Sequence, residues 1–344
     1  MVFKIDNLSS VNNPCSVHGI YPYRGKISAL DATQIISQMD PGKTLLDPFC
    51  GSGTIVYEAA KRGLISYGID ANPIAYIITK GKVNMPDSLD AVNIELDKLI
   101  RTVQSIDVDL NDYPYSNSLF EPNSLRQILK LATQYENMSD YLKACFMGTI
   151  CLTARGCNQY KWTSSTVGKN IEPKRYINFY QKLRGKLKKH YYPIHFNGNV
   201  WYADSRHLAD LIPKNSIDYV FTSPPYFDCL DYTMYYARIV YEILGIDRIA
   251  IKNGLIQNFQ NYADDMKVVL DELYKVCKNG ANVIFVVGDK KIHNKIINGA
   301  EFFKDFSPFE SQQVIERSYS GSSSQVFDSI NKTKRKEQII IWEK

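Results

Sequence analysis

An open, mostly parallel α/β sheet of about seven strands, interrupted by a helical insertion, is the fold this sequence predicts. Three observations lead there. Residues 44–48 (TLLDP) are a short apolar run followed by a glycine-containing turn, a helical stretch from Thr54 to Arg62 closed by Gly63, and a second apolar run at 64–70. That is a β-α-β unit with short connections. Apolar runs return at 198–203, 217–222 and 281–288. The segments 312–319 and 337–342 have the alternation and apolar density of a closing strand pair.

The connecting elements follow from local signals. Pro73 suits the first turn of a helix over 73–83. Residues 90–104 and 122–155 carry apolar side chains at three- and four-residue spacing, and 174–189 form a third helical stretch. The glycine- and proline-containing segment 156–173 reads as loop. Nothing between about 85 and 195 has the quality of a strand. The chain therefore divides into a sheet framework at 1–85 and 197–344 and a helical insertion at 86–196. An amphipathic helix over 264–277, ending near Gly280, precedes the run at 281–288.

Composition bounds the class. With 44% hydrophobic and 22% charged residues, the chain can bury a core and does not read as disordered. The start, MVFKIDNLSS, lacks the apolar core of a secretory signal, and no apolar run is long enough for a bilayer. The expectation is a cytoplasmic protein. Seven cysteines include no CxxC pair, which argues against a disulfide framework. Cys145, Cys151 and Cys157 have no nearby partner to complete a metal site, so they read as small buried helix residues, and no metal is expected. The net charge of +5 is unevenly placed. Residues 151–200 hold ten Lys or Arg against one acid. Such a surface suits a polyanion, although a solvated helix face would look the same.

Two segments carry chemistry. The first is Asp47-Pro48-Phe49-Cys50-Gly51-Ser52-Gly53-Thr54, between a strand and a helix. Its glycines let the chain turn tightly and bring a ligand against main-chain N–H groups. Asp70, at the end of the next strand and followed by Ala71, is placed to accept the hydroxyls of a ribose. The second is Thr222-Ser223-Pro224-Pro225-Tyr226, directly after a strand. Two prolines fix an extended loop that lacks N–H donors and keeps its carbonyls free to accept. An exocyclic base amine is a poor nucleophile, because its lone pair is delocalised into the ring. Acceptors for its two hydrogens, Ser223 and a loop carbonyl, favour the tetrahedral nitrogen that can attack a methyl group. Tyr226 can stack on the base.

DPFCGSGT together with TSPPY resembles the amino-methyltransferases of DNA, and within them the cytosine-N4 group. The resemblance covers about two-thirds of the chain. It implies the Rossmann-like fold of S-adenosylmethionine-dependent methyltransferases, with S-adenosylmethionine as cofactor on the first segment and catalysis on the second. The serine at 223 stands where adenine-N6 members usually carry Asp or Asn, which favours cytosine; adenine-N6 is the alternative. His18 to Lys26 resembles the segment that touches the cofactor's methionine end, where Lys26 or Ser28 would meet its carboxylate. Asn199 to Ser205 resembles the third-strand motif, in which Asp204 would accept from the adenine amino group or simply cap the next helix. Ile74 would pack on the adenine or belong to the core.

The resemblance further implies double-stranded DNA as partner, a flipped target base and a possible cognate restriction endonuclease. Candidate DNA contacts are Tyr160, Lys161 and Trp162 in the loop, and Lys174, Arg175 and Lys182 on the basic helix. Phe227 to Tyr236 would line the base pocket, with Tyr232 among them, and Asp228 or Asp231 could share a proton with cytosine N3. The position of the insertion, ahead of the third-strand motif, is not the usual place for a recognition domain. Two readings of other kinds are an RNA base amino-methyltransferase and a cofactor-binding protein without catalysis.

Overall fold

The computed structural model describes residues 2–5, 15–23, 25, 27–158, 175–225, 231–258, 260–292, 295–320 and 334–344. Seven strands form one sheet: β1 (Thr44–Asp47), β2 (Ile65–Asp70), β3 (Gly198–Tyr202), β4 (Ile217–Thr222), β5 (Cys277–Gly288), β6 (Glu310–Ser320) and β7 (Lys334–Glu343). Their spatial order is β3-β2-β1-β4-β5-β7-β6. The first five are parallel, and β7 runs antiparallel to both β5 and β6. All seven expected strands are present, and the closing pair is where alternation placed it.

Both faces of the sheet are covered, which is why its central strands read as continuous apolar runs. Leu45, Phe221, Ile284 and Ile341 face helices α1 (Ala29–Ile36) and α2 (Thr54–Lys61). Their strand neighbours Leu46, Val220, Phe285 and Trp342 face the opposite layer, which holds the long helix Tyr262–Val276. The alternation is the two-residue period of a strand.

Between β2 and β3 the described residues make α3 (Pro73–Val83) and then α4 (Leu89–Thr102), α5 (Pro114–Asn117), α6 (Pro122–Ala132), α7 (Asp140–Cys157) and α8 (Phe179–His190). The single helix expected over 122–155 is two. Glu95 of α4 accepts from the Ser139 N–H at 2.6 Å and from its hydroxyl at 2.8 Å, fixing a new start for α7. The basic helix begins at Phe179, with the Asn178 side chain accepting from the Gln181 N–H at 3.0 Å. α7 is buried on nearly every side, and Cys145, Cys151 and Cys157 sit inside it as small core residues.

Two further helices, α9 (Tyr236–Ile243) and α10 (Arg248–Gly254), lie in a stretch where no helix was expected; α11 is Tyr262–Val276 and α12 is Gly299–Lys304. The apolar core of α4 and α6–α8 is continuous with Ile20 and Tyr21, with Ile74 and Ile78 of α3, and with Val240 and Tyr241 of α9. The insertion thus shares a core with the framework. Among the described residues no helix is long and apolar enough to cross a membrane.

Gly148 shows how tight this packing is. A Cβ there would stand 1.9 Å from the Ile20 carbonyl oxygen and 2.4 Å from Lys186 Cε. Alanine in place of a mid-helix glycine ordinarily stabilises by about 1 kcal/mol. At this position the sign should reverse. Gly148→Ala is expected to destabilise by on the order of 2 kcal/mol or more, read from urea denaturation midpoints, because the backbone of the N-terminal segment must move.

Candidate active site

The strand order reverses between β1 and β4, so the loops leaving these neighbouring strands part and leave a crevice at their carboxyl ends. Each wall is pinned by a carboxylate. Asp47, 2% exposed at the end of β1, accepts from the Thr222 hydroxyl at 2.7 Å and from the Phe49 N–H at 3.2 Å. It ties the β1 loop to the end of β4. Asp70, at the end of β2, accepts from the Gly51 N–H and the Asn72 N–H, each at 2.8 Å. Gly51 and Gly53 have φ of 49° and 69°, the left-handed region that favours glycine. A Cβ on Gly53 would also meet Thr79 Oγ1 at 2.6 Å. Asn72 accepts from the Ile74 N–H to start α3, and from the Tyr241 hydroxyl of α9 at 2.8 Å.

From the end of β3, the Ser205 hydroxyl donates to the Pro48 carbonyl. Asp204 accepts from the Arg206 N–H at 2.9 Å, which is the capping arrangement, and also pairs with the Arg206 guanidinium. Arg206 reaches on to Asp265 at 2.8 Å and to the Gly254 carbonyl at 3.1 Å. The Asp204 carboxylate is therefore shared, not free. At the end of β4, Ser223 and Pro225 reach the crevice while Thr222 and Pro224 are buried behind it. The Tyr262 hydroxyl of α11 donates to the Pro225 carbonyl at 2.7 Å. The expectation that the loop carbonyls all stand free is corrected at this atom.

The resulting cleft has about 800 Å³ of empty volume, part of it open to solvent. It brings together Asp47, Phe49, Cys50, Gly51 and Thr54 from the first segment, Asp70 and Ala71 after β2, and Asp204 and Ser205 after β3. Ser223, Pro225 and Tyr232 complete the anticipated lining. Pro48, Gly53, Thr222 and Pro224 support that lining from behind. Ile74 and Asp231 line a smaller adjoining pocket. Asp231 is held by Lys252 at 2.8 Å and by the Thr233 hydroxyl and N–H, and these contacts keep its carboxyl below the ordinary range. A carboxylate so held is a poor proton donor to a base. Arg175 and Lys182 lie on a separate groove beside α8. Lys26, Tyr226, Asp228, Tyr160, Lys161, Trp162 and Lys174 fall outside the described residues.

Several lining residues were not anticipated. Tyr23, Gly25 and Ile27 lie in or beside the segment His18–Lys26, whose tyrosines and glycine were the available signal. Asn72 follows Asp70 and Ala71 directly, and that adjacency was its signal; Leu255, Ile256 and the supporting Tyr262 had none, because their positions depend on α10 and α11. Among the described residues no cluster of His, Cys, Asp or Glu is arranged to hold a metal.

Burial dominates the electrostatics. It pushes the Asp47 carboxyl up to about 7 and that of Asp70 up to about 6, against the hydrogen bonds each accepts. A carboxylate has roughly four acceptor positions, and Asp70 uses two on the backbone. The others remain for hydroxyl donors in the cleft.

A protein-family profile described as UPF0020, RMKL-like methyltransferase domain, matches residues 32–165. Type II methyltransferase M.MjaII of Methanocaldococcus jannaschii is 30% identical over 131 residues, 38% of this chain and 23% of that protein. The chain thus spans about a quarter of that relative's length. Type II methyltransferase M.BsoBI of Geobacillus stearothermophilus is 21% identical, over 97% of this chain and 86% of the relative. Among solved structures, the rRNA methyltransferase aviRa of Streptomyces viridochromogenes aligns with a TM-score of 0.37 and 13% identity, covering 97% of this chain and 95% of that one. The sheet order and flanking helices are those of the Rossmann-like methyltransferase fold, whose cofactor is S-adenosylmethionine.

The raised carboxyls make stability depend on pH. Well below the ordinary aspartate value of 3.8, both states keep Asp47 and Asp70 protonated. As pH rises the unfolded chain ionises first, so the folded state loses this advantage progressively through pH 6–7. Asp47→Asn, which leaves an acceptor for Thr222, is expected to flatten the fall in thermal midpoint between pH 5 and pH 8. A slope unchanged in the variant would show that other groups set it.

Proposed function

We propose that this chain is a site-specific DNA methyltransferase acting on the exocyclic N4 amine of a flipped cytosine. One observation supports this most: Ser223 and Pro225 line the same cleft as Gly51 and Asp70. A loop able to accept from an amine therefore faces a turn built to hold a nucleoside. S-adenosylmethionine, when bound, supplies the electrophilic methyl group.

The roles of this chain's residues follow from their atoms. Asp70 offers its remaining acceptor positions to the ribose hydroxyls. Gly51 lets the backbone approach, and Phe49, Cys50, Thr54 and Ala71 shape the wall. Asp204 accepts at the adenine edge while Arg206 fixes its orientation, with Ser205 bracing the Pro48 turn. Lys26 meets the carboxylate at the methionine end. Asp47, Thr222, Gly53 and Pro48 hold the two loops in register. Ionised Asp47 and Asp70 also give a cationic ligand a favourable field.

Ser223 accepts one amine hydrogen and a carbonyl of the Pro224–Pro225 loop accepts the other. Tyr262 already donates to the Pro225 carbonyl, which keeps that loop from turning away. With both hydrogens bound, the nitrogen lone pair is freed from the ring, so no strong base is needed before attack; once methylated, the nitrogen releases one of these two protons through Ser223 to water. Tyr226 and Tyr232 stack on the base. The insertion at 86–196 supplies DNA contacts through Arg175 and Lys182 and through Lys174, Tyr160, Lys161 and Trp162. A cognate endonuclease would complete a restriction-modification pair.

Expression in a host free of DNA methylation, followed by mass spectrometry of its nucleosides, tests the reading. N4-methylcytosine is the expected product. Ser223→Ala should reduce it by roughly 10- to 100-fold, the cost of one hydrogen bond to a developing charge. N6-methyladenine would keep the mechanism and change the target, whereas a mark found only in RNA would overturn the substrate.

A further inference from the structure

The ladder between β6 and β7 outlasts the sheet that supports it. β5 pairs with β7 as far as Gly288, which stands opposite Glu337. The β6–β7 pairing goes on, through Ser318 opposite Lys336 and Tyr319 opposite Arg335, to Ser320 opposite Lys334. Because β7 runs antiparallel to β5, this extension leaves the sheet at the carboxyl ends of the parallel strands, the end that carries Ser223. Thr222, the last residue of β4, is level with Phe285 of β5 and Ile340 of β7. From Ile340 to Lys334 the strand advances about 20 Å, at about 3.4 Å per residue. Two steps of strand twist, roughly 45° together, still leave the ribbon rising about 14 Å above the end of β4.

The fold gains little from that length. Beyond Gly288 no third described strand pairs with the ribbon, and an isolated two-stranded ribbon is marginal in water. Its composition points to a ligand instead. Lys334, Arg335 and Lys336 are consecutive, and the residues opposite them are Ser320, Tyr319 and Ser318. The acid at the root of the extension, Glu337, stands opposite Arg317. A ribbon balanced for its own stability would set acids across from its cations. Three more lysines, Lys290, Lys291 and Lys295, lie in the short hairpin that follows β5, Lys290–Ile292 paired with Lys295–Ile297. The Gln338 side chain donates to Asp289 at 2.7 Å, which keeps the root of this hairpin beside β7.

The strand order sets what this charge can reach. The crevice opens between β1 and β4. The insertion leaves β2 and returns to β3 on one side of it, while β5, β7 and β6 lie on the other. A polyanion lying across the carboxyl ends would meet the insertion on one flank and the ribbon on the other.

We propose that the end of the β6–β7 ribbon, Lys334 to Lys336, is a phosphate-binding arm that holds the DNA backbone on the side of the target base away from the insertion. The inference rests on the DNA-methyltransferase reading and adds a second, separate DNA surface. Basic residues on a sheet edge can also serve only to prevent edge-to-edge association. The salt dependence of DNA binding separates the two roles, because it counts the counterions released by phosphate contacts.

The test uses the full chain and a fluorescein-labelled duplex of about 30 base pairs, titrated between about 0.05 and about 0.4 M KCl. Two variants are compared with the parent: Lys334→Gln with Arg335→Gln and Lys336→Gln, and the charge-keeping set Lys334→Arg, Arg335→Lys and Lys336→Arg. Each lost phosphate contact removes about 0.9 from the slope of log affinity against log salt, so the glutamine variant should lose about 2 to 3. Its binding at about 0.1 M salt should weaken roughly 10-fold or more, while the charge-keeping variant stays within about threefold of the parent. S-adenosylmethionine affinity, measured by calorimetry without DNA, should change by less than about twofold in both variants. An unchanged slope in the glutamine variant would overturn the arm, even if binding weakened. A charge-keeping variant as impaired as the glutamine one would overturn it too, as would loss of cofactor affinity in the glutamine variant, which would assign these cations to the fold. A parent chain that transfers no tritiated methyl group to methyl-free DNA would defeat the underlying reading and the arm with it, and is distinguished by failing before any variant is compared.

Discussion

Asp70 holds two backbone N–H groups that belong to different loops. Gly51 lies in the turn after β1, and Asn72 lies in the turn after β2. A charge-assisted hydrogen bond contributes about 1.5–3 kcal/mol, so two of them offset much of the cost of placing a carboxylate where burial raises its pKa. The Asp70 bond holds Gly51 in its left-handed turn together with the Thr79 hydroxyl, which donates to the Gly51 carbonyl at 3.3 Å. The consequence runs further. Asn72, set by the same carboxylate, starts α3 and receives the Tyr241 hydroxyl from α9. One side chain therefore joins the glycine turn after β1, the sheet and the helical region.

That joining explains why the helices between β2 and β3 are not a detachable module. Their core runs into α3 and α9, and a buried polar seam lies beside it. His18 Nε2 lies 2.8 Å from Glu58 of α2 and its Nδ1 lies 3.3 Å from Lys82 of α3. Nearby, His190 of α8 lies within hydrogen-bond distance of the Ser16 carbonyl. Breaking such a seam leaves charge without a partner, which costs more than the pairing contributes. A surface that reads DNA through α8 would thus be carried rigidly with the sheet that carries Ser223.

The legibility of the molecule divides along the range of its interactions. Strands were readable because their faces obey a two-residue period, and β5 because both its faces are covered. The turn at Gly51–Gly53 and the acid at 70 were readable because chemistry restricts those positions to few residue types. α9 and α10 were missed: the aromatic run that was read ends at Tyr236, where α9 starts, and the residues from there to 263 were assigned no element. The break between α6 and α7 depends on Glu95, a residue 44 positions away in the chain. Tyr262 shows no mark of its role until α11 places its hydroxyl on Pro225. Asp204 and Asp231 were legible as carboxylates near the site, but their partners Arg206 and Lys252 decide what they can do.

The central claim is that one carboxylate both assembles the turn and receives the cofactor's ribose. Calorimetric titration of S-adenosylmethionine into the parent protein and into Asp70→Asn tests it most directly. Asparagine keeps one acceptor oxygen but loses the charge and half of the acceptor positions. The account predicts affinity weaker by roughly tenfold or more, with the fold retained by circular dichroism. Equal affinity in the two proteins would contradict it.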